Sequence, residues 1–155
     1  MIPDRDRTLT LAFPVPAEKG RGLLAEESLP LVVSEGGMRL LAPPLMVPEL
    51  SVGDVLSCVI QGDSGRVESW GHIARSDRST VWLAPRGDGS AVRSALEELR
   101  SHGCASRGDA LLGIFAVDVP SAAIMDAAED ILARLERDGV SVAYPSDRRA
   151  DPSGL

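Results

Sequence analysis

The sequence predicts an α+β fold in two small subdomains, residues 8–78 and residues 79–147. The first half alternates short apolar runs with glycine-containing turns, which is typical of β-strands. From residue 88 onward, apolar residues recur at the three- and four-residue spacing of helices. The composition is 44% hydrophobic and 25% charged, close to the average for globular proteins. We expect residues 1–7 and 148–155 to be flexible, because both ends are charged and contain strand-breaking residues.

The first subdomain is expected to consist of strands and turns. Strand-like runs occupy residues 8–13, 29–42, 55–60 and 66–74, with a loop over 14–27. Gly36 and Gly37 divide the second run into a hairpin, because glycine adopts the positive φ that tight turns require. Short strands at this spacing favour a small antiparallel barrel or a curled sheet.

The second subdomain alternates strands and helices. A strand at 80–84 precedes a first helix, which Asp88 or Ser90 can cap and which Gly103 ends. Two strands follow, at 104–107 and 111–119. A second helix then ends at Gly139, before a last strand at 140–144. This order is that of the ferredoxin-like plait, or split βαβ, in which two helices cover one face of a sheet. The strand at 104–107 is short and has no β-branched residue. Without it, a βαβαβ layer would remain.

Charge narrows the choice of partners. The net charge is −7, and division after residue 78 gives −3 (8 basic against 11 acidic residues) and −4 (8 against 12). A negative field on both halves disfavours nucleic acid and anionic membrane surfaces, and it suits a cationic partner better. A modest negative charge also simply keeps a cytosolic protein soluble.

No motif points to a cofactor or a metal. Cys58 and Cys104 are 46 positions apart without a CxxC pattern, so neither a zinc site nor a disulfide framework is expected. The glycine turns at 61–65 and 86–90 lack the P-loop lysine and the Rossmann pattern. No apolar run is long enough to span a bilayer, and we expect a cytoplasmic protein.

The strongest candidate site is an aromatic cluster on a predicted hairpin of 66–74 with 80–84. If its turn closes symmetrically, His72 faces Trp82, and Trp70 lies beside them with Glu68 on the same face. His72 would then be the candidate catalytic base, and Trp70, Trp82 and Glu68 would bind a flat or cationic ligand. The alternative is that this face is core or packs against the second subdomain.

Two further groups could carry chemistry. His102 and Cys104 are close in sequence, and a thiol nucleophile needs a nearby His. The favoured interpretation is that His102 ends the first helix and that Cys104 is simply buried. Cys58 is expected in the core. Asp118 follows an apolar strand and could act as an acid or base, although bonding to backbone N–H groups at the next helix is favoured.

Several short segments resemble an uncharacterised bacterial family, a domain of unknown function. They are the acidic-to-apolar opening near Glu27, Leu50-Ser-Val-Gly-Asp-Val, Ser79-Thr-Val and Ala116-Val-Asp-Val-Pro. The resemblance covers roughly residues 27–144. It implies a segment like Ser-Gly-His-Ser-Thr, whereas Asp77 and Arg78 stand here in place of the glycine and the histidine.

These observations favour a non-catalytic binding or accessory protein, of the immunity or regulatory type, that acts through an acidic surface. The alternative is a small cofactor-independent enzyme of a specialised bacterial pathway, with a pocket near Trp70, His72 and Trp82. The expected partner is another protein or a small molecule. A homodimer is also expected to be accessible, since ferredoxin-like sheets often pair.

Overall fold

The computed structural model describes residues 7–16, 26–34, 36–87 and 89–149. Within these ranges the chain forms nine strands in two antiparallel sheets and two helices, so the predicted α+β class is confirmed. The chain divides into two compact units between Ser76 and Asp77. No helix of the described ranges is long and apolar enough to cross a membrane.

The first unit is a five-stranded sheet in chain order. Its strands are β1 (Thr8–Pro14), β2 (Glu26–Ser34), β3 (Gly37–Leu40), β4 (Val55–Ile60) and β5 (Val67–Ala74). Gly36 has φ of 80° and Ser34 pairs with Gly37, which confirms the predicted tight turn. Of the predicted loop at 14–27, residues 17–25 lie outside the described ranges.

One face of this sheet is its core. Alternate residues of neighbouring strands point inward and are fully buried, among them Leu29, Leu31, Leu40 and Leu56. The segment 41–54 has no strand, yet it contributes buried side chains of its own, such as Leu50. An irregular segment therefore closes part of the core.

The barrel alternative for the first subdomain is wrong. Among the described residues, no ladder joins β1 to β5, and the backbone pairing there is an isolated parallel bridge between Ala12 and Arg66, the residue before β5, where the Ala12 amide donates to the Gly65 carbonyl at 2.9 Å. In a sheet of five antiparallel strands in chain order, the first and last run parallel. Closure would need a parallel ladder, and a single bridge forms instead, which leaves a curled sheet.

The second unit combines a four-stranded sheet with both helices. Its elements are β6 (Ser79–Ala84), α1 (Ser90–Ser101), β7 (Ala105–Asp109), β8 (Ile114–Val119), α2 (Ala122–Arg137) and β9 (Ser141–Ser146). The strand order is β7-β8-β6-β9 and all neighbours are antiparallel. Because β7 forms, the sheet has four strands and not the three of the βαβαβ alternative.

The apolar stripes of the helices account for this unit's core. Leu99 of α1 and Met125 and Leu132 of α2 pack with Val81 and Val117 of the sheet in one buried cluster. Gly103 and Gly139 follow the two helices with φ of 93° and 88°, as their positions in the sequence indicate.

The helix starts differ from one another. Ser121 caps α2 by accepting a hydrogen bond from the Ile124 amide at 3.2 Å. At α1 the cap residue is Gly89, with φ of 75°, so the expected cap at Ser90 is wrong; Asp88 lies outside the described residues.

Residues 148 and 149 make hydrogen bonds at the end of the described chain. The Arg148 amide donates to Ser79 Oγ at 2.8 Å, and Arg149 binds Asp147. The flexibility expected of residues 1–7 and 148–155 stays a prediction. Residues 1–6 and 150–155 lie outside the described ranges.

Candidate functional site

The predicted hairpin of 66–74 with 80–84 does not form. β5 pairs with β4 in the first sheet, and β6 pairs with β8 and β9 in the second. The reason lies in the segment between them: Ser76 is bound to Asp54, and Arg78 is bound to Asp118. These bonds make the segment the connection between two units, and Trp82 belongs to a different sheet from Trp70 and His72.

Trp70 and His72 do come together. Their ring centroids are 5.4 Å apart at an interplanar angle of 80°, and Phe13 lies on the other side of Trp70 at 6.4 Å. Both rings lie on the inner side of the first sheet, because His72 is opposite the buried Leu56. Glu68 is exposed at a register shift of the β4–β5 ladder, where alternation of faces is interrupted.

Asp54 is the centre of a buried hydrogen-bond network. His72 Nε2 lies 2.8 Å from Asp54 Oδ2, which also accepts the Ser51 amide at 3.0 Å, and the Ser76 amide donates to Oδ1 at 2.8 Å. The Asp54 side chain is fully buried and that of His72 is 12% exposed. Gly53, with φ of 89°, closes the turn that carries Asp54.

This geometry fixes the imidazole ring and gives it a defined polarity. A neutral His72 donates Nε2–H to the carboxylate, so Nδ1 carries the lone pair. Within the described part of the chain, the ring makes no hydrogen bond other than the one to Asp54. The pair thus ties β5 to the turn at 51–54 and leaves one nitrogen able to accept a proton.

The thiols are poorly suited to nucleophilic chemistry. Cys104 is buried, and loss of solvent, with a smaller contribution from the Asp118 carboxylate, raises the pKa of its thiol to about 11. Such a thiol is neutral at pH 7. Burial also raises the pKa of Cys58, and His102 lies exposed at the end of α1.

The Asp118 carboxylate binds the Arg78 side chain, whereas the sequence favoured backbone N–H groups as its partners. Arg78 Nε donates to its two oxygens at 3.0 and 3.2 Å, and Arg78 Nη2 donates to Oδ2 at 2.6 Å. Ser121 supplies the helix cap instead. The hydrogen bond to Asp118 raises the pKa of Arg78, so this buried carboxylate faces a permanent cation.

An acidic surface on α2 was not singled out from the sequence. Asp126, Glu129 and Asp130, which we call the acidic edge, are exposed, and no basic residue occurs between positions 122 and 133. Their i, i+3, i+4 spacing is the signal that could have identified them. Arg149 reaches this edge: its Nη1 binds Glu129 and lies 3.9 Å from Asp126 Oδ1.

The remaining contacts of Arg149 complete this surface. Its guanidinium donates to both oxygens of Asp147, at 3.2 Å from Nε and 2.9 Å from Nη2, and lies 5.8 Å from the centre of the Tyr144 ring. These hydrogen bonds lower the pKa of the Asp147 carboxyl. Nowhere in the described ranges do three His, Cys, Asp or Glu side chains lie where they could hold a metal ion.

A family model called "Domain of unknown function (DUF4265)" matches residues 26–143. The chain belongs to this family. The predicted resemblance to a domain of unknown function is thereby confirmed. Asp54, His72 and the acidic edge lie within the part that matches the DUF4265 family, whereas Tyr144, Asp147 and Arg149 lie beyond it.

A solved structure has a similar fold. It is the crystal structure of a hypothetical protein from Neisseria gonorrhoeae, which is 19% identical, with a TM-score of 0.65 over 90% of this chain and 93% of that chain. At this identity the likeness concerns the fold alone. No curated protein matches the sequence of this DUF4265 member.

Proposed function

We propose that this protein is a non-catalytic binding or accessory protein that contacts a basic protein through the acidic edge. The observation that carries this proposal is the exposure of Asp126, Glu129 and Asp130: the side chain of Asp126 is 72% exposed and that of Glu129 is 52% exposed. The first turn of α2 contains no acidic residue, so these charges do not serve the positive end of the helix dipole.

The overall charge favours the same type of partner. A net charge of −7 attracts a basic protein over distances up to the Debye length, and a local carboxylate cluster orients the encounter. An immunity-type or regulatory protein that neutralises or presents another macromolecule would act in this way.

The buried polar groups support a structural role for the other candidates. Asp54 binds two backbone amides besides His72, and Asp118 binds Arg78. The raised pKa of Cys104 keeps its thiol neutral. These groups are engaged in holding the fold, while the acidic edge faces solvent.

The test is binding to purified proteins encoded by neighbouring genes. A variant with Asp126→Asn, Glu129→Gln and Asp130→Asn should bind the partner at least about tenfold more weakly, since charge complementarity is lost. A control with Glu97→Gln, Glu98→Gln and Glu136→Gln removes three charges from exposed sites of α1 and α2 that do not belong to the acidic edge. Equal losses in both variants would mean that only net charge matters and would refute the edge as the contact surface.

The second candidate function is a cofactor-independent enzyme with His72 as general base. The 2.8 Å contact of Asp54 with His72 Nε2 favours it, because a carboxylate that holds one side of an imidazole orients the other ring nitrogen toward a substrate. Trp70 would position a flat substrate beside the ring. Trp82, expected in the same cluster, belongs to the other sheet.

Fluorescence separates this candidate from the first. In a Trp82→Phe background Trp70 is the only indole, so a small molecule bound beside His72 should change its emission saturably. Addition of His72→Gln should abolish that change. A small-molecule library that leaves Trp70 emission unchanged would count against the enzyme.

We also infer that the second unit is a ferredoxin-like plait in a cytoplasmic protein. The strand order β7-β8-β6-β9, with one helix between β6 and β7 and another between β8 and β9, supports the plait. The two cysteines, Cys58 and Cys104, are both free thiols, which is typical of a reducing compartment.

A further inference from the structure

The guanidinium of Arg149 lies in a site formed by three contacts. Asp147 accepts two parallel hydrogen bonds, Glu129 of the acidic edge accepts one, and the ring of Tyr144 lies 5.8 Å from the Arg149 Cζ atom. Only 23% of the Arg149 side chain remains exposed. This site offers carboxylate oxygens on two sides and an aromatic face. It therefore suits a planar cation with several N–H donors, such as a guanidinium.

Two backbone amides of the segment that carries Arg149 are hydrogen-bonded. The Arg148 amide donates to Ser79 Oγ at 2.8 Å, and the Arg149 amide donates to Asp147 Oδ1 at 3.1 Å. These bonds hold the backbone while the guanidinium reaches outward to the helix. Removal of the side chain therefore leaves the anchoring hydrogen bonds of the segment in place.

The charge of the acidic edge depends on this contact. Asp126, Glu129 and Asp130 give a local charge of −3, and the bound guanidinium reduces it to −2. Arg66 of the first unit also pairs with a carboxylate, Glu26, with 3.4 Å between Nη2 and Oε1. Its pair has the same chemistry but does not belong to the acidic edge.

We propose that Arg149 is an internal pseudo-ligand, which occupies the position that an arginine of the partner protein takes when it binds the acidic edge. This inference rests on the proposed function and adds the ligand class, a guanidinium, and its regulation, since the partner must displace Arg149. Tyr144, Asp147 and Arg149 follow the residues that match the family. Glu129, which Arg149 binds, lies within the matched residues.

The test uses the full chain and a fluorescently labelled hexa-arginine peptide, with hexa-lysine for comparison. Arg149→Gln should bind hexa-arginine at least about threefold more tightly than Arg66→Gln. Both variants lose one positive charge, but only Arg149→Gln frees Asp147 and Glu129. Hexa-lysine should gain less from Arg149→Gln, because an ammonium lacks the planar fork that binds two oxygens. Thermal unfolding of each variant verifies that the fold is intact.

A second measurement needs no substitution. In the wild-type protein, the Arg149 Nε–H signal in the NMR spectrum should shift progressively as hexa-arginine is added, because the peptide displaces the bond to Asp147. An unchanged signal at saturating peptide would overturn the inference.

The outcomes separate the two proposals. If hexa-arginine binds, loses affinity in the variant with a neutralised acidic edge, and binds Arg149→Gln and Arg66→Gln equally, the pseudo-ligand is refuted and the proposed function stands. If hexa-arginine binds none of the proteins, or binds independently of the acidic edge, both are refuted.

Discussion

The two units of this protein use carboxylates in different ways. In the first unit, buried Glu27 and Asp54 accept hydrogen bonds from backbone amides: Glu27 from Leu45, Met46 and Val47 at 2.7 to 3.2 Å, and Asp54 from two further amides. In the second unit, the carboxylates of Asp118, Glu98 and Glu129 bind arginine side chains.

The difference follows from the secondary structure. Segment 41–54 of the first unit is buried without a helix or a ladder, so its amides need other acceptors, and two carboxylates supply them. In the second unit the buried carboxylate, Asp118, binds the Arg78 side chain, and the carboxylates that accept backbone amides, Asp109 and Asp147, are not buried. The candidate binding surface lies in the unit whose buried carboxylate binds a side chain.

The largest effect is expected from Glu27→Ala. It leaves three buried amides without their acceptor, and we expect the first unit to lose about 4 kcal/mol of unfolding free energy. Urea unfolding followed by Trp70 emission in a Trp82→Phe background measures it. The neighbouring Glu26→Ala, at a partly exposed site, should cost less than about 0.5 kcal/mol; equal losses would contradict the distinction between the two units.

Asp118→Asn should have the next largest effect, in the second unit. The substitution breaks the ion pair between the buried Asp118 and the partly exposed Arg78, at a cost of about 2 kcal/mol. Trp82 emission in a Trp70→Phe background reports the loss, and Asp130→Asn is the exposed control. A midpoint shared with that control would show that Arg78 finds water or another acceptor without cost.

Cys104 should make the second unit sensitive to alkali. The pKa of the Cys104 thiol in the folded protein, about 11, exceeds the ordinary value. The stability that the neutral buried thiol contributes is therefore fully present below about pH 9 and is lost as the pH rises through 11. The loss by then is about 2 kcal/mol. Unfolding of wild type and Cys104→Ala between pH 8 and 11 should give converging stabilities; parallel curves would refute the assignment.

The smallest effects are expected from the ion pairs at the surface. Arg134 pairs with Glu98 in the second unit and Arg66 pairs with Glu26 in the first, and all four side chains are at least 39% exposed. Arg134→Gln and Arg66→Gln should leave the urea midpoints unchanged, because water screens such pairs. A clear loss in one unit alone would mean that its surface charges contribute more than their exposure indicates.

Local pattern predicted the elements well but not their partners. The stripe of α2 and the glycine turn at Gly36 are properties of neighbouring residues, and both are present in the structure. The pairing of β5 is not a property of neighbouring residues. The short connection to β6 predicted a hairpin with that strand, whereas Ser76 binds Asp54 and β5 pairs with β4. A hydrogen bond between residues 22 positions apart leaves no periodic signal.

The candidate site was predictable to the same extent. Trp70 and His72 share a face by simple alternation and are in contact, but their expected neighbour Trp82 depended on the wrong hairpin. The partner of His72, Asp54, lies 18 positions away on a turn. The acidic edge was visible as helical spacing, whereas the contact of Arg149 required the position of the chain after β9.

The most direct test of the acidic edge is a map of backbone amide shifts on the ¹⁵N-labelled protein titrated with hexa-arginine. We expect saturable shifts concentrated at residues 122–130 and 144–149, with the amides of β5 unchanged. Shifts centred on Trp70 and His72, or an even spread over all exposed carboxylates, would contradict the assignment of function to this surface.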